Sequence, residues 1–208
     1  MADRDSPAGA AGEEGHLIEV ATERRQLLRG NFLDVRGDIV RLPDGDLASR
    51  EYVMHPGAVV VVPILDDGRL VLERQYRYPL SQVLLEFPAG KIDPDEPSSR
   101  CAMRELAEET GYRATEWAFA ARLHNAAAYS TEFIEIWFAR GLTLGERQLD
   151  HGELIDVCLM EEAELEALAS RGELTDAKTL ISLMWLQKWR SGVWALDWRP
   201  AEAWGPSR

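Results

Sequence analysis

The run Gly57-Ala-Val-Val-Val-Val-Pro-Ile-Leu65 constrains this chain more than any other stretch. Four consecutive valines in a nearly continuous apolar segment read as a strand buried on both faces, because a half-exposed strand would alternate with polar residues. The turn Asp66-Asp67-Gly68 and a second strand, Arg69–Tyr76, follow. Helices must cover such a sheet, and candidates stand at Pro97–Thr110, Glu161–Ala169 and Asp176–Arg190. Val83–Phe87, Trp117–His124, Glu132–Arg140 and Leu154–Met160 read as further strands. Helices interspersed among buried strands predict an α/β sandwich.

Upstream, short β-rich pieces at Leu17–Ala21, Phe32–Val35, Asp38–Leu42 and Arg50–Met54 are separated by Arg-Gly, Arg-Gly-Asp and Pro-Asp-Gly turn signals. They predict a small antiparallel sheet. About 38 residues of hairpins make a poor core alone, so this layer should pack on something larger or on a second subunit. His55-Pro56-Gly57 punctuates the chain as a boundary. The expected organisation is a frayed tail over 1–15, a β-sheet domain over 16–55, the main domain over 56–198 and a C-terminal tail over 199–208.

With 23 Lys+Arg against 36 Asp+Glu, the net charge of −13 repels nucleic-acid phosphates and argues against a polynucleotide partner. The apolar run Ala58–Leu65 is interrupted by Pro63 and falls far short of the roughly 20 residues that span a bilayer, so no membrane helix is expected. The first fifteen residues lack the apolar core of a signal peptide, which points to a cytoplasmic protein. Cys101 and Cys158 have no CxxC spacing and read as buried thiols. Five of the seven tryptophans fall in the C-terminal segment; Trp185 and Trp189, at i,i+4, read as packing residues. His124, a lone histidine at a strand end, receives no catalytic role.

The chemistry concentrates between Gly90 and Tyr112. Pro97 suits a first helical position and Gly111 the left-handed residue just past the end. At about 100° per residue, Glu105, Glu108 and Glu109 share one arc, while Ala102, Met103, Leu106 and Ala107 occupy the other side. Like charges at i,i+3 and i,i+4 destabilise a helix, and Glu108 and Glu109 stand in the last turn, where the dipole disfavours anions. Such a set calls for a compensating cation. Hard oxygen ligands suit Mg²⁺ or Mn²⁺, which would also draw phosphates to an anionic protein. Arg104 either orients a neighbouring carboxylate or forms an ordinary ion pair with Glu108 or Glu96.

Counting from Gly90, five residues lead to Glu96, seven more to Arg104-Glu105, and Leu106, Ala107, Glu108-Glu109, Thr110 and Gly111 follow. This spacing resembles the Nudix box; only Tyr112 departs, standing where the family usually has a bulky aliphatic residue. The resemblance implies a Nudix α/β/α sandwich with a mixed sheet, beside the small N-terminal antiparallel sheet. It also implies metal-dependent hydrolysis of a nucleoside diphosphate linked to another moiety. By the same resemblance Glu105 and Glu109 are metal ligands, Glu108 a further ligand or a partner through water, and the Ala89 carbonyl a backbone ligand. Gly90 would permit that close approach.

Further similarity, in Arg50-Glu51, His55-Pro56-Gly57, Arg74-Gln75-Tyr76-Arg77-Tyr78-Pro79, Leu85-Glu86-Phe87-Pro88-Ala89-Gly90-Lys91 and Asp176-Ala177-Lys178-Thr179, points to the ADP-ribose pyrophosphatase group. That group implies a homodimer whose N-terminal sheet completes the partner's adenosine pocket. Arg77 would contact the substrate phosphates or the nucleotide side. Arg50 is either a contact across the dimer or a solvent-facing strand arginine. Glu132 closes a Tyr129-Ser130-Thr131-Glu132 stretch that fits the group and is a substrate-binding candidate, although the loop from His124 lacks the group's proline. For the base, the resemblance points to a glutamate on a loop after the box: Glu153, with Asp150 as fallback. The expected reaction is Mg²⁺-dependent hydrolysis of ADP-ribose to AMP and ribose 5-phosphate. GDP- or UDP-sugar hydrolysis, and nucleotide sensing without hydrolysis, stand as alternatives.

Overall fold

Val59, Val60, Val61 and Val62 are all fully buried, and their alternation assigns them to two different cores. Val60 and Val62 pack with Leu72, Phe138, Leu165, Leu183 and Leu186; Val59 and Val61 pack with Cys101, Ala102, Leu106, Trp117 and Trp137. At about 1.5–3 kcal/mol for each large apolar side chain removed from water, this strand anchors both layers. The computed structural model that shows this describes residues 14–149 and 152–204. The chain falls into two units, one running up to His55 together with Ala126–Glu132, the other Pro56–Asn125 with Phe133 onward.

The larger unit is a mixed α/β structure. Strands β4 (Ala58–Pro63), β7 (Ala89–Lys91), β8 (Tyr112–Leu123), β9 (Ile134–Leu144) and β11 (Arg199–Pro200) form a sheet in the order β11-β8-β9-β4-β7. β4 runs parallel to β9, and the other pairs are antiparallel. A second, antiparallel sheet has the order β10-β5-β6, from β5 (Leu70–Arg77), β6 (Gln82–Glu86) and β10 (Ile155–Met160). Helix α1 (Ser98–Glu105) contributes to the core of Val59 and Val61, whereas α2 (Glu162–Ser170) and α3 (Ala177–Arg190) contribute to that of Val60 and Val62. This is the layered arrangement the apolar run required. No helix among the described residues is long and apolar enough to cross a membrane.

The smaller unit is a three-stranded antiparallel sheet, β1 (Val20–Arg29), β2 (Asp34–Arg41) and β3 (Leu47–Met54), in that order. The turn expected at Arg36-Gly37-Asp38 does not exist; β2 runs straight through it. Gly37 instead makes room, because a Cβ there would fall 2.8 Å from the Leu27 side chain on β1. The segment Ala126–Glu132 adds to this sheet. Val53 donates its N–H to the Tyr129 carbonyl at 2.8 Å, Thr131 donates to the Val53 carbonyl at 3.0 Å, and the His55 N–H reaches the Thr131 hydroxyl at 2.9 Å.

Two further differences have physical causes. Residues 199–204, expected as tail, are packed: β11 pairs with β8, and Trp204 stands edge-on to Trp137 at 4.8 Å and donates its indole N–H to the Trp117 carbonyl at 3.3 Å. Aromatic burial outweighs the ordering cost of this short segment. Pro97 is the N-cap of α1, with extended ψ of 138°, so the helix begins one residue later than expected. Residues 1–13 and 205–208 of the two expected tails lie outside the described residues. Trp185 contacts Trp194 at 4.2 Å and Trp189 contacts Trp198 at 5.5 Å, so this aromatic stripe packs against its own C-terminal segment.

Candidate active site

The loop entering β7 and the end of α1 build the site. After Glu105 the helix widens into a π-helical turn, Leu106–Thr110, closed by Gly111 in the left-handed region at φ 79°. Such turns concentrate at functional sites. Within it Leu106, Ala107 and Thr110 are buried, and so is Glu109, at 3% exposure. The acidic arc is therefore not a solvent face: the Glu105 side chain is 12% exposed, and only Glu108 is substantially open, at 35%.

Gly90 lies beneath Glu105 so closely that a Cβ would fall 1.9–2.4 Å from the three atoms of that carboxyl group. One residue earlier, the Ala89 N–H donates to Glu109 Oε2 at 2.9 Å. Arg104 ties the neighbourhood together. Its Nε and Nη2 donate to the two oxygens of Glu96 at 2.9 and 2.8 Å, and its Nη1 donates to Glu105 at 2.8 Å and Glu108 at 3.0 Å. The two roles open to Arg104 thus coincide, since the same ion pairs orient Glu105 and Glu108.

Burial pushes Glu105 up to about 7, with Glu108 and Glu153 adding to the rise and Arg104 opposing it. Glu109 is held well above the carboxylate range, first by burial and then by Glu73, Glu105 and Glu153. Glu73, fully buried on β5, is raised by burial and by Glu86. Both its oxygens are buried without a hydrogen-bond partner. Crowded, desolvated carboxylates of this kind suit a hard divalent cation. Among the described residues no three His, Cys, Asp or Glu side chains converge as a ready-made cage; Mg²⁺ commonly uses one or two carboxylates and keeps water for the rest of its shell.

A NUDIX domain model matches residues 54–183. The chain belongs to the Nudix family. An ADP-ribose pyrophosphatase of Bacillus subtilis is 33% identical over 173 residues, covering 82% of this chain and 94% of that one. A methanol dehydrogenase activator of Bacillus methanolicus is 34% identical over 176 residues, 83% of this chain and 95% of that one. A crystal structure of an ADP compounds hydrolase superposes with a TM-score of 0.76 at 26% identity, covering 84% of this chain and 95% of that one. Nudix hydrolases generally use a divalent metal, and the acidic cluster around Gly90 fits one.

The larger unit of this Nudix chain holds Ala89, Arg104, Glu105, Glu108 and Glu109 together. Arg77 is engaged side-on by Glu86, Nε to Oε1 and Nη2 to Oε2, both at 2.7 Å. Burial pushes Glu86 upward, but Arg77 and Lys178 outweigh it and hold the carboxyl below its ordinary range. Lys178 also reaches Asp176 Oδ1 at 3.1 Å, and Asp176 caps α3 by accepting the Thr179 N–H at 2.9 Å. Sequence reasoning gave no role to Glu73, Glu86 or Lys178. The available signals were the segments around Glu86 and Lys178 that carry the resemblance, and the charge of Glu73 directly after the apolar run Leu70-Val71-Leu72.

Glu153 stands two residues before β10 and lines a cavity of about 360 Å³ with Arg74, Tyr76, Val83 and Arg147. Its charge acts on Glu73, Glu105 and Glu109 alike. Asp150 lies outside the described residues. Arg50 and Glu132 belong to the smaller unit. Arg50 pairs with Glu19, its Nε 2.8 Å from Oε2, and lines a pocket of about 210 Å³ with Tyr52 and Tyr129. Glu132 lies 3.7 Å from His55 Nδ1.

Proposed function

We propose that the chain hydrolyses the pyrophosphate of ADP-ribose, with Mg²⁺, to AMP and ribose 5-phosphate, as a cytoplasmic homodimer. The observation that carries this reading is the Glu105 carboxyl group lying over Gly90 beside buried Glu109, in a chain one-third identical to an ADP-ribose pyrophosphatase over most of its length. Glu105, Glu109 and the Ala89 carbonyl would hold the cation, with Glu108 as a further ligand or a partner through water; Mn²⁺ would serve similarly. When bound, the metal supplies Lewis-acid stabilisation of the pyrophosphate oxygens and eases deprotonation of water.

The chain's own groups do the rest. Glu153 takes the proton of the attacking water as its oxygen bonds to one phosphorus and the bridging P–O bond breaks, which leaves one phosphate on each product. Arg104 keeps Glu105 and Glu108 in place. Arg77, with Nε and Nη2 on Glu86, contacts a phosphate oxygen through its remaining edge. Arg50 and Glu132 are substrate contacts of the smaller unit. The exposed Leu27, Leu28 and Phe32 of that unit, Phe32 at 78%, support dimerisation through its sheet.

Product analysis with Mg²⁺ and ADP-ribose, beside GDP-mannose and UDP-glucose, tests the reading. Dominant AMP formation is expected. The loop His124–Glu132, with three alanines and no proline, favours a GDP- or UDP-sugar as second reading, and preferential turnover of one of these would replace ADP-ribose. No turnover of any would favour a non-catalytic nucleotide sensor.

A further inference from the structure

Glu73 is a fully buried carboxyl group that the proposed reaction does not use. It stands directly opposite Glu86 across the β5–β6 pair and opposite Val157 on β10. Like charges facing each other across a sheet repel, and an ionised carboxylate out of water is costly unless paired. Glu86 solves this with Arg77 on both its oxygens and Lys178 on Oε2. Glu73 has no such solution: it is fully buried, and neither oxygen has a hydrogen-bond partner.

Both strands beside Glu73 lead to the proposed active site. Three residues beyond Glu86, β6 gives way to Ala89, whose N–H holds Glu109. On the other side, β10 begins at Ile155, paired with Gln75 and two residues after Glu153. Among the charges acting on Glu109, that of Glu73 is the largest. Glu73 is a buried carboxylate with both oxygens unsatisfied, and Arg77 and Lys178 are already committed to Glu86, so it needs a positive partner from elsewhere. A cation such as Mg²⁺ binds through one or two carboxylates and carries its own water.

We infer that Glu73 is an additional ligand of the divalent cation, reaching it from β5 and sharing it with Glu109. The inference rests on the metal site proposed above and deepens it, adding a carboxylate from the sheet to those of the helix.

Mn²⁺ binding to the substrate-free protein, followed by the electron paramagnetic resonance of free Mn²⁺, reads this without reference to turnover. Glu73→Gln and Glu73→Val should each weaken binding at least about tenfold, or remove one ion per chain. Both should keep the wild-type circular dichroism and melt no lower than the metal-free wild type, because a buried charge is gone. Unchanged number and affinity of Mn²⁺ ions in both variants would overturn the inference and mark Glu73 as a carboxyl sharing a proton with Glu109. Glu109→Gln separates the levels. If it loses Mn²⁺ while the Glu73 variants do not, only the role of Glu73 fails; if the wild type binds no Mn²⁺, the metal site itself fails.

Discussion

The Glu105 carboxyl group lies against the α-carbon of Gly90, leaving no space for a methyl group. Gly90→Ala must therefore push Glu105 away, by roughly an ångström, from where Arg104 holds it. A displacement of that size costs about 100-fold in rate, and overpacking adds about 1–3 kcal/mol of destabilisation. Turnover measured beside denaturant unfolding checks this; full activity in Gly90→Ala would mean that the position of Glu105 is irrelevant.

Glu109→Gln should remove most activity and leave the fold intact. The amide oxygen still accepts the Ala89 N–H, and one member of a crowded set of buried carboxylates disappears, so the melting temperature should hold or rise. Undiminished turnover at a normal circular dichroism spectrum contradicts the assignment of Glu109 as a ligand.

Lys178→Met leaves Glu86 with Arg77 alone in a fully buried setting. Because Arg77 stays on both oxygens of Glu86, the loss should fall below the roughly 3–5 kcal/mol of a fully broken buried pair. Lys178→Met combined with Glu86→Leu should lose less than the two single changes added together, because the Lys178–Glu86 interaction can be lost only once. Strict additivity in urea melts would show that the pair does not interact.

Trp204 joins residues 199–204 to three other elements, through Trp137 on β9, Trp117 on β8 and the Ser99 hydroxyl on α1, which donates to the Trp204 carbonyl at 2.9 Å. Trp204→Ala should destabilise the chain by about 2–3 kcal/mol, less than a fully buried tryptophan. A change below about 0.5 kcal/mol would class residues 199–204 as a surface appendage.

Phe32→Asp together with Leu27→Asp places two charges at exposed apolar positions of the smaller unit. If that sheet joins two copies, sedimentation should shift from dimer to monomer while the α/β core melts nearly as before. An unaltered dimer would place the interface elsewhere.

Much of this protein was determined locally and was therefore legible in one dimension. Four valines in a row could only be a strand covered on both sides, and the spacing from Gly90 to Gly111 set three glutamates and their arginine on one helix that closes at Gly111. Tertiary structure decided which charges are buried and what answers them. That Glu86 meets Lys178, 92 residues away, that Glu73 has no such partner, and that Ala126–Glu132 belongs with β3 are consequences of strand order and register. Gly37 carried the chemistry of a turn and became a space for Leu27, and Trp204 stood in an apparent tail and became part of a core. Propensity and periodicity act within a few residues, whereas desolvation and pairing depend on neighbours that only the completed fold brings together.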